Sequence, residues 1–457
     1  MLAVAAAAVA LLLIVRLGPL RWPVLAVFPL LLLLMACPTV FWWAWVDERL
    51  AGPSHAPAGD SRPASAERGH CVARRWRVSR GLMGAYAIAV MLPVVTLLLG
   101  WRGYDRLPVP ALMWVMTWHV LLGVAGLLAL GPWIAYLILR GVAARVAPRG
   151  LRLAACASRQ PQAASQAGRD ARPPSRRAFL TGALATAPVV IAGSAVAAGL
   201  RQQGRFAVRR IEMQLPRLPD RLRGLTITHL SDLHVGRLFR PEHLPAVVEA
   251  VNKLDSDLIA ITGDTVDHSL TYLPEACDAF RQLHSGYGRY VVIGNHDLID
   301  SSGDARAYLR WREPNFLCDD RLILSIGGER MQIVGLDWSR YDTQAFGRPG
   351  HRERVAAVMA GAEPEVFTLA LAHHPHAFDA LTDAGVDLTL AGHTHGGQLM
   401  LTPPGSPHPI GGGSLLFRYI WGEYRRGDAA LYLTSGVGNW FPVRINAPAE
   451  LVQIRLT

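Results

Sequence analysis

Leu225-Thr226-Ile227-Thr228-His229-Leu230-Ser231-Asp232-Leu233-His234 is a short β-rich run that ends abruptly in a polar cluster. The same grammar repeats downstream. Residues 258–262 run into Gly263-Asp264, with Asp267 three further on, and residues 290–293 run into Gly294-Asn295-His296-Asp297. Residues 367–372 run into His373-His374-Pro375, and residues 386–391 into Gly392-His393-Thr394-His395-Gly396-Gly397. Amphipathic stretches such as 244–254 and 276–283 fall between them, a βαβ rhythm that predicts an α/β fold. Functional groups in such folds collect beyond the strand ends, so the apolar strands hold Asp, His and Asn at one rim.

The ligand types suggest the chemistry. Two Asp, one Asn and four His suit a pair of divalent cations such as Mn, Fe or Zn, because imidazole favours those metals and no thiolate is offered. In Asp232-x-His234 and in His393-x-His395 the two side chains share a face, since residues two apart in extended backbone point the same way. An Asp directly after Gly in a tight turn, as at Asp264, can reach both ions of a pair spaced for phosphoryl chemistry.

The order D-x-H, G-D, G-N-H-D, H, G-H-x-H resembles the calcineurin-like metallophosphoesterase superfamily, and Gly392-His-Thr-His-Gly-Gly-Gln398 resembles its membrane-anchored or exported bacterial branch. The likeness covers 224–457 and includes a tail with Ser435-Gly-Val-Gly438, Arg444, Pro448 and Glu450-Leu451. It implies a β-sandwich flanked by helices. It also implies one ion on Asp232, His234 and His395, a second on Asn295, His373 and His393, and Asp264 bridging them. His296 is then the acid that protonates the leaving oxygen, with Asp267 in the place of the carboxylate that orients it. The implied reaction is in-line attack of a metal-activated hydroxide on a phosphate ester. His374 and His376 compete with His373, which the H-x-P pattern favours. Arg237 and Arg240 either contact phosphate oxygens or are exposed charge.

Outside this half the composition changes. The chain has 457 residues, 51% of them hydrophobic and 18% charged, too apolar for an ordinary soluble enzyme. Its net charge of +11 belongs to the first 200 residues, which carry 20 Arg against 6 acidic residues. The remainder has 26 basic and 29 acidic residues, so nucleic acid is not an expected partner. Apolar runs at 2–20, 23–46, 82–100, 111–139 and 178–200 predict an all-α transmembrane region of about five helices. Seven Arg in 47–80 and nine in 140–177, against two in 101–110, place the two Arg-rich loops in the cytoplasm and the C-terminal half outside it. Arg176-Arg177 before a weakly apolar stretch resembles a signal for the twin-arginine translocation machinery.

The predicted organisation is therefore a membrane domain over 1–177, a fifth segment or signal anchor over 178–200, a linker over 201–223 and the catalytic domain over 224–457. Five scattered cysteines give no metal motif, though Cys277 and Cys318 are able to pair if their half is exported. The leading reading is a membrane-anchored, extracytoplasmic phosphoesterase acting on a phosphodiester or lipid-linked phosphate. The alternatives are a sensor or scaffold that binds a phosphorylated ligand without turnover, which has no use for His296, and a transporter, for which the apolar runs supply only His119.

Overall fold

The computed structural model describes residues 108–114, 116–118 and 176–457, apart from 345–347, 404, 407, 408 and 416. The chain divides into two compact units, the second comprising Thr96–Met113 and Ala195–Thr457. The sheets, core and site below all belong to this second unit.

The apolar runs at 2–20, 23–46 and 82–100 lie outside the described residues, and the run at 111–139 is described only as far as residue 118, where it is helical. The fifth run forms helix α1 (Arg176–Gln202), with Pro188 inside it. The transmembrane expectation is tested only at this fifth run, where it finds no support: no helix among the described residues is long and apolar enough to cross a membrane. In α1 the many Ala, Gly, Ser and Thr residues dilute the large apolar side chains.

Among the described residues eleven strands follow: β1 (Ala207–Met213), β2 (Thr226–Leu230), β3 (Leu258–Thr262), β4 (Arg289–Val292), β5 (Asp320–Ile326), β6 (Glu329–Gly335), β7 (Phe367–Leu371), β8 (Leu388–Ala391), β9 (Gly422–Arg426), β10 (Ala429–Leu433) and β11 (Glu450–Leu456). They form a five-stranded sheet in the order β1-β11-β2-β3-β4 and a six-stranded sheet in the order β5-β6-β7-β8-β10-β9. Residues 201–223, expected to be a linker, instead supply β1, which pairs in parallel with β11 from Ala207↔Glu450 to Met213↔Leu456. The folded domain therefore begins well before residue 224. The β2-β3-β4 and β6-β7-β8 runs are parallel, whereas β11 is antiparallel to β2 and β5 to β6.

Side-chain alternation builds the layers. On β3, Leu258 and Ala260 point into the core shared by the two sheets, while Ile259 and Ile261 point to the outer helices. On β7, Phe367, Leu369 and Leu371 face the shared core, and Ala370 packs outward beneath α5 (His351–Met359) and α6 (Ala377–Asp383). The opposite outer layer is α2 (Leu244–Leu254), α3 (Leu273–Phe280) and α4 (Ser302–Arg312) over β2, β3 and β4. The result is the expected β-sandwich flanked by helices. Each fully buried Leu, Ile or Phe in these layers contributes roughly 1.5–3 kcal/mol. Cys277 and Cys318 are both free thiols. The first lies buried on α3 and the second follows α4, and the pairing open to them is not formed.

Candidate metal centre

The loops after β2, β3, β4, β7 and β8 converge at one end of the two sheets. The β2 and β3 loops are laced together by backbone hydrogen bonds from Asp232 N–H to Gly263 and from His234 N–H to Asp264. Asp232, His234, Asp264, His393 and His395 all have positive φ, between 48° and 78°. Side chains rarely adopt this backbone, and it costs about 1–2 kcal/mol per residue. Such strain persists where the surroundings dictate the conformation, as they do at functional sites.

Three groups of side chains bring possible ligand atoms together: Asp232, His234 and His395; Asp264, His373 and His393; and His234, Asp267 and His296. In the first, His395 Nε2 lies 3.4 Å from Asp232 Oδ1 and 2.9 Å from His234 Nε2. Asp264 stands between the first two groups. Its Oδ1 accepts the His296 N–H at 2.8 Å, which leaves Oδ2 at 3.5 Å from His234 Nε2 and 3.1 Å from His373 Nε2. His373 is set for this by donating Nδ1–H to the Thr262 carbonyl at 2.7 Å, so its Nε2 faces the site with a lone pair.

The donors present fit a pair of divalent cations. Two carboxylates, Asp232 and Asp264, are buried within one cluster, and two imidazole nitrogens face each other at 2.9 Å. Buried atoms without a hydrogen-bond partner include Asn295 Oδ1, His373 Nε2 and His234 Nδ1. Buried polar atoms seldom go unpaired, so such atoms beside buried carboxylates are what a candidate cation site presents.

His296 occupies the part-exposed edge of this cluster and holds its Nδ1 against the main-chain carbonyl of Asp267. The Asp267 carboxylate is farther, 3.6 Å from His296 Nδ1, and bonds His268 Nδ1 at 3.0 Å. Asp267 thus orients His296 chiefly through its backbone. Burial alone lowers the His296 pKa, but Asp264 and Asp267 outweigh it and raise the pKa to about 9. His374 is buried among Trp338, His351, His376, His393 and Phe417. Burial and the neighbouring imidazoles hold its pKa well below the usual histidine value. Arg237 is half-buried and Arg240 exposed. His408 lies outside the described residues.

Three structural supports escape sequence reasoning. Asp297 is fully buried and accepts the Val266 N–H at 3.0 Å and the Gly294 N–H at 2.9 Å, stapling the β3 loop to the β4 loop. Arg444 is buried against the back of the first group: Nη2 lies 2.9 Å from His395 Nδ1 and bonds the carbonyls of Ser435 and Gly438. Trp338 spreads its ring beside His373, His374 and His393 at 5.0–5.6 Å between centroids. Only the Asp following His296 and the Arg in the tail left any trace in the motifs. Gly392 explains another constraint: a Cβ there would lie 2.1 Å from Ser231 Oγ and 2.2 Å from Asp232 Oδ2.

Residues 225–397 match the family model of the calcineurin-like phosphoesterases. An uncharacterized metallophosphoesterase of Helicobacter pylori is 31% identical over 241 residues, covering 51% of this chain and 60% of the relative. The uncharacterized metallophosphoesterase YkuE of Bacillus subtilis is 27% identical over 298 residues, covering 62% of this chain and 97% of the relative. A transmembrane protein with metallophosphoesterase domain from Danio rerio is 28% identical, over 54% of this chain and 56% of its own length. The chain thus spans only about 60% of the length of the Helicobacter relative. Among solved structures, the Thermus thermophilus sulfate thiohydrolase SoxB aligns at 15% identity with a TM-score of 0.32, covering 52% of this chain and 57% of that one.

Proposed function

We propose that the calcineurin-like metallophosphoesterase domain matched at 225–397 makes this chain a metal-dependent phosphoric ester hydrolase, anchored in a membrane with its catalytic domain outside the cytoplasm. The observation that carries the reading is Asp264 standing within 3.1–3.5 Å of an imidazole nitrogen from each of two ligand groups. Asp232, His234 and His395 would hold one ion, Asn295, His373 and His393 the other, and Asp264 both. The oxygen and imidazole donors, with no thiolate, suit Mn, Fe or Zn. When bound, the two ions supply the positive charge on which phosphoryl transfer depends.

The chain's own residues do the rest. His296, pinned at Nδ1 by Asp267, stands at the edge of the site with Nε2 to deliver a proton to the departing oxygen. Trp338 and Phe417 wall the side nearer His393. The substrate class we favour is a phosphodiester or a lipid-linked phosphate. The apolar runs before residue 140 and the Arg asymmetry of their loops support the anchoring, and the Arg176-Arg177 pair supports recognition by the twin-arginine machinery.

The test is a metal-reconstituted panel on the purified protein with mono- and bis-p-nitrophenyl phosphate and phospholipid phosphates. The expected outcome is hydrolysis that chelator abolishes and added Mn, Fe or Zn restores. No hydrolysis of any ester by metal-loaded protein would sink the reading.

A further inference from the structure

We propose that the loops beside the metal centre form a face that seats directly on a lipid bilayer, so that the site draws its substrate from the membrane surface. This rests on the phosphoesterase reading and names where the ester is held.

The face is made of large apolar side chains left in solvent. Leu401 is 81% exposed, Ile410 57%, Ile445 47%, Leu200 42% and Trp440 41%. Single exposed apolar residues are ordinary, but these five lie on three segments bound to one another. Leu401 N–H bonds the Ile410 carbonyl at 2.8 Å, Met400 N–H bonds the Ile445 carbonyl at 3.0 Å, and Ile445 N–H bonds the Gln398 carbonyl at 2.8 Å. The end of α1 joins them. Gln202 bonds both the N–H and the carbonyl of Arg444, and Gly199 lies so close to Pro442 that a Cβ there would stand 2.3 Å from its carbonyl oxygen. The face reaches the site, since the Trp440 ring lies 6.4 Å from that of His395.

The chemistry of these segments selects the occupant. Residues 196–206, 398–417 and 439–449 contain no Asp or Glu, while 196–206 carry Arg201 and Arg205. A protein partner with basic groups would find no carboxylate to pair with. Lipid phosphates would meet arginines, acyl chains would meet Leu401 and Ile410, and a Trp with one polar edge suits the boundary between them. The chain before α1 carries apolar runs of about bilayer length, which suits the membrane anchoring proposed above.

Photo-crosslinking of the full chain in vesicles tests this. p-Benzoylphenylalanine is placed singly at position 401 or 410, with positions 323 and 311, exposed apolar sites on β5 and α4, as controls. The vesicles are phosphatidylethanolamine and phosphatidylglycerol with an alkyne-tagged phosphatidylglycerol. Lipid adducts at 401 and 410, at least tenfold above those at 311 and 323, are the expected result. Adducts to another protein, or lipid adducts no stronger than the controls, would overturn the proposal. The same preparations are assayed on bis-p-nitrophenyl phosphate: hydrolysis without lipid adducts rejects the face and keeps the enzyme, while adducts without hydrolysis do the reverse. As a second readout, Leu401→Asp with Ile410→Asp is expected to lower hydrolysis of a bilayer-embedded phosphoester at least tenfold relative to the soluble ester. An unchanged ratio counts against the face.

Discussion

At the scale of single residues the site separates holding from proton transfer. Asp264→Asn removes the charge that both ligand groups share. It is expected to reduce bound metal from two equivalents to one or fewer and to abolish turnover, as elemental analysis beside an activity assay will read. His296→Gln leaves the ligand groups intact and is expected to lower kcat by about 10²–10⁴-fold at unchanged metal content. Unaltered turnover would make His296 a bystander. His229 provides a test through stability. It is buried on β2, its Nε2 pairs with Thr262 Oγ1 at 2.9 Å, and burial lowers its pKa to about 3. The neutral ring is therefore favoured in the fold, and its stabilisation is complete above the unfolded pKa near 6.5. It is lost as pH falls from there towards 3, at up to about 1.4 kcal/mol per pH unit. Urea titrations at pH 7 and pH 5 should show a smaller pH-dependent loss in His229→Gln than in the unaltered protein. An identical pH dependence in the two would remove His229 from the acid response. The ligand-bearing residues were legible because each follows a short β-rich run. Asp297 was not, since its partners are the N–H groups of Val266, 31 positions away, and Gly294.

At the scale of elements, the loop staple has its own measurable worth. Asp297→Ala leaves two buried N–H groups unpaired, each costing about 1–3 kcal/mol, and about 2–4 °C of Tm follows each kcal/mol in a unit of this size. Calorimetry should show Tm lowered by at least 5 °C, with Asp297→Asn, which keeps one acceptor, in between; an unchanged Tm would deny the staple. The strands were legible in the same unequal way. β3, β4, β7 and β8 pair only in parallel with named strands and are largely buried, so each reads as a mostly apolar run, while β2 (Thr-Ile-Thr-His-Leu) is marked by its β-branched residues. The residues of β1 (Ala-Val-Arg-Arg-Ile-Glu-Met) and β9 (Gly-Glu-Tyr-Arg-Arg) are mostly exposed on edge strands, so no apolar run marks them. β5 and β6 form an antiparallel hairpin, a pattern that the βαβ rhythm does not contain. α2 matched its amphipathic stretch, while α3 starts three residues before the predicted 276 because Pro274 fits the first turn of a helix.

At the scale of the whole molecule, the Arg asymmetry of the loops, seven in 47–80 and nine in 140–177 against two in 101–110, predicts an orientation that a reporter can read. A reporter active only outside the cytoplasm is expected to work after Thr457 or within 101–110 and to fail within 51–70. Activity within 51–70 would reverse the assignment. The position of β11 bears on a different property of the molecule. It lies between β1 and β2, and its pairing with β1 spans 243 positions of sequence at Arg210 and Gln453. Until that distant segment arrives, β2 presents an open flank to any other extended chain, and closing so long a loop is entropically slow. The first sheet therefore closes only when the last strand of the chain takes its place at the centre of that flank.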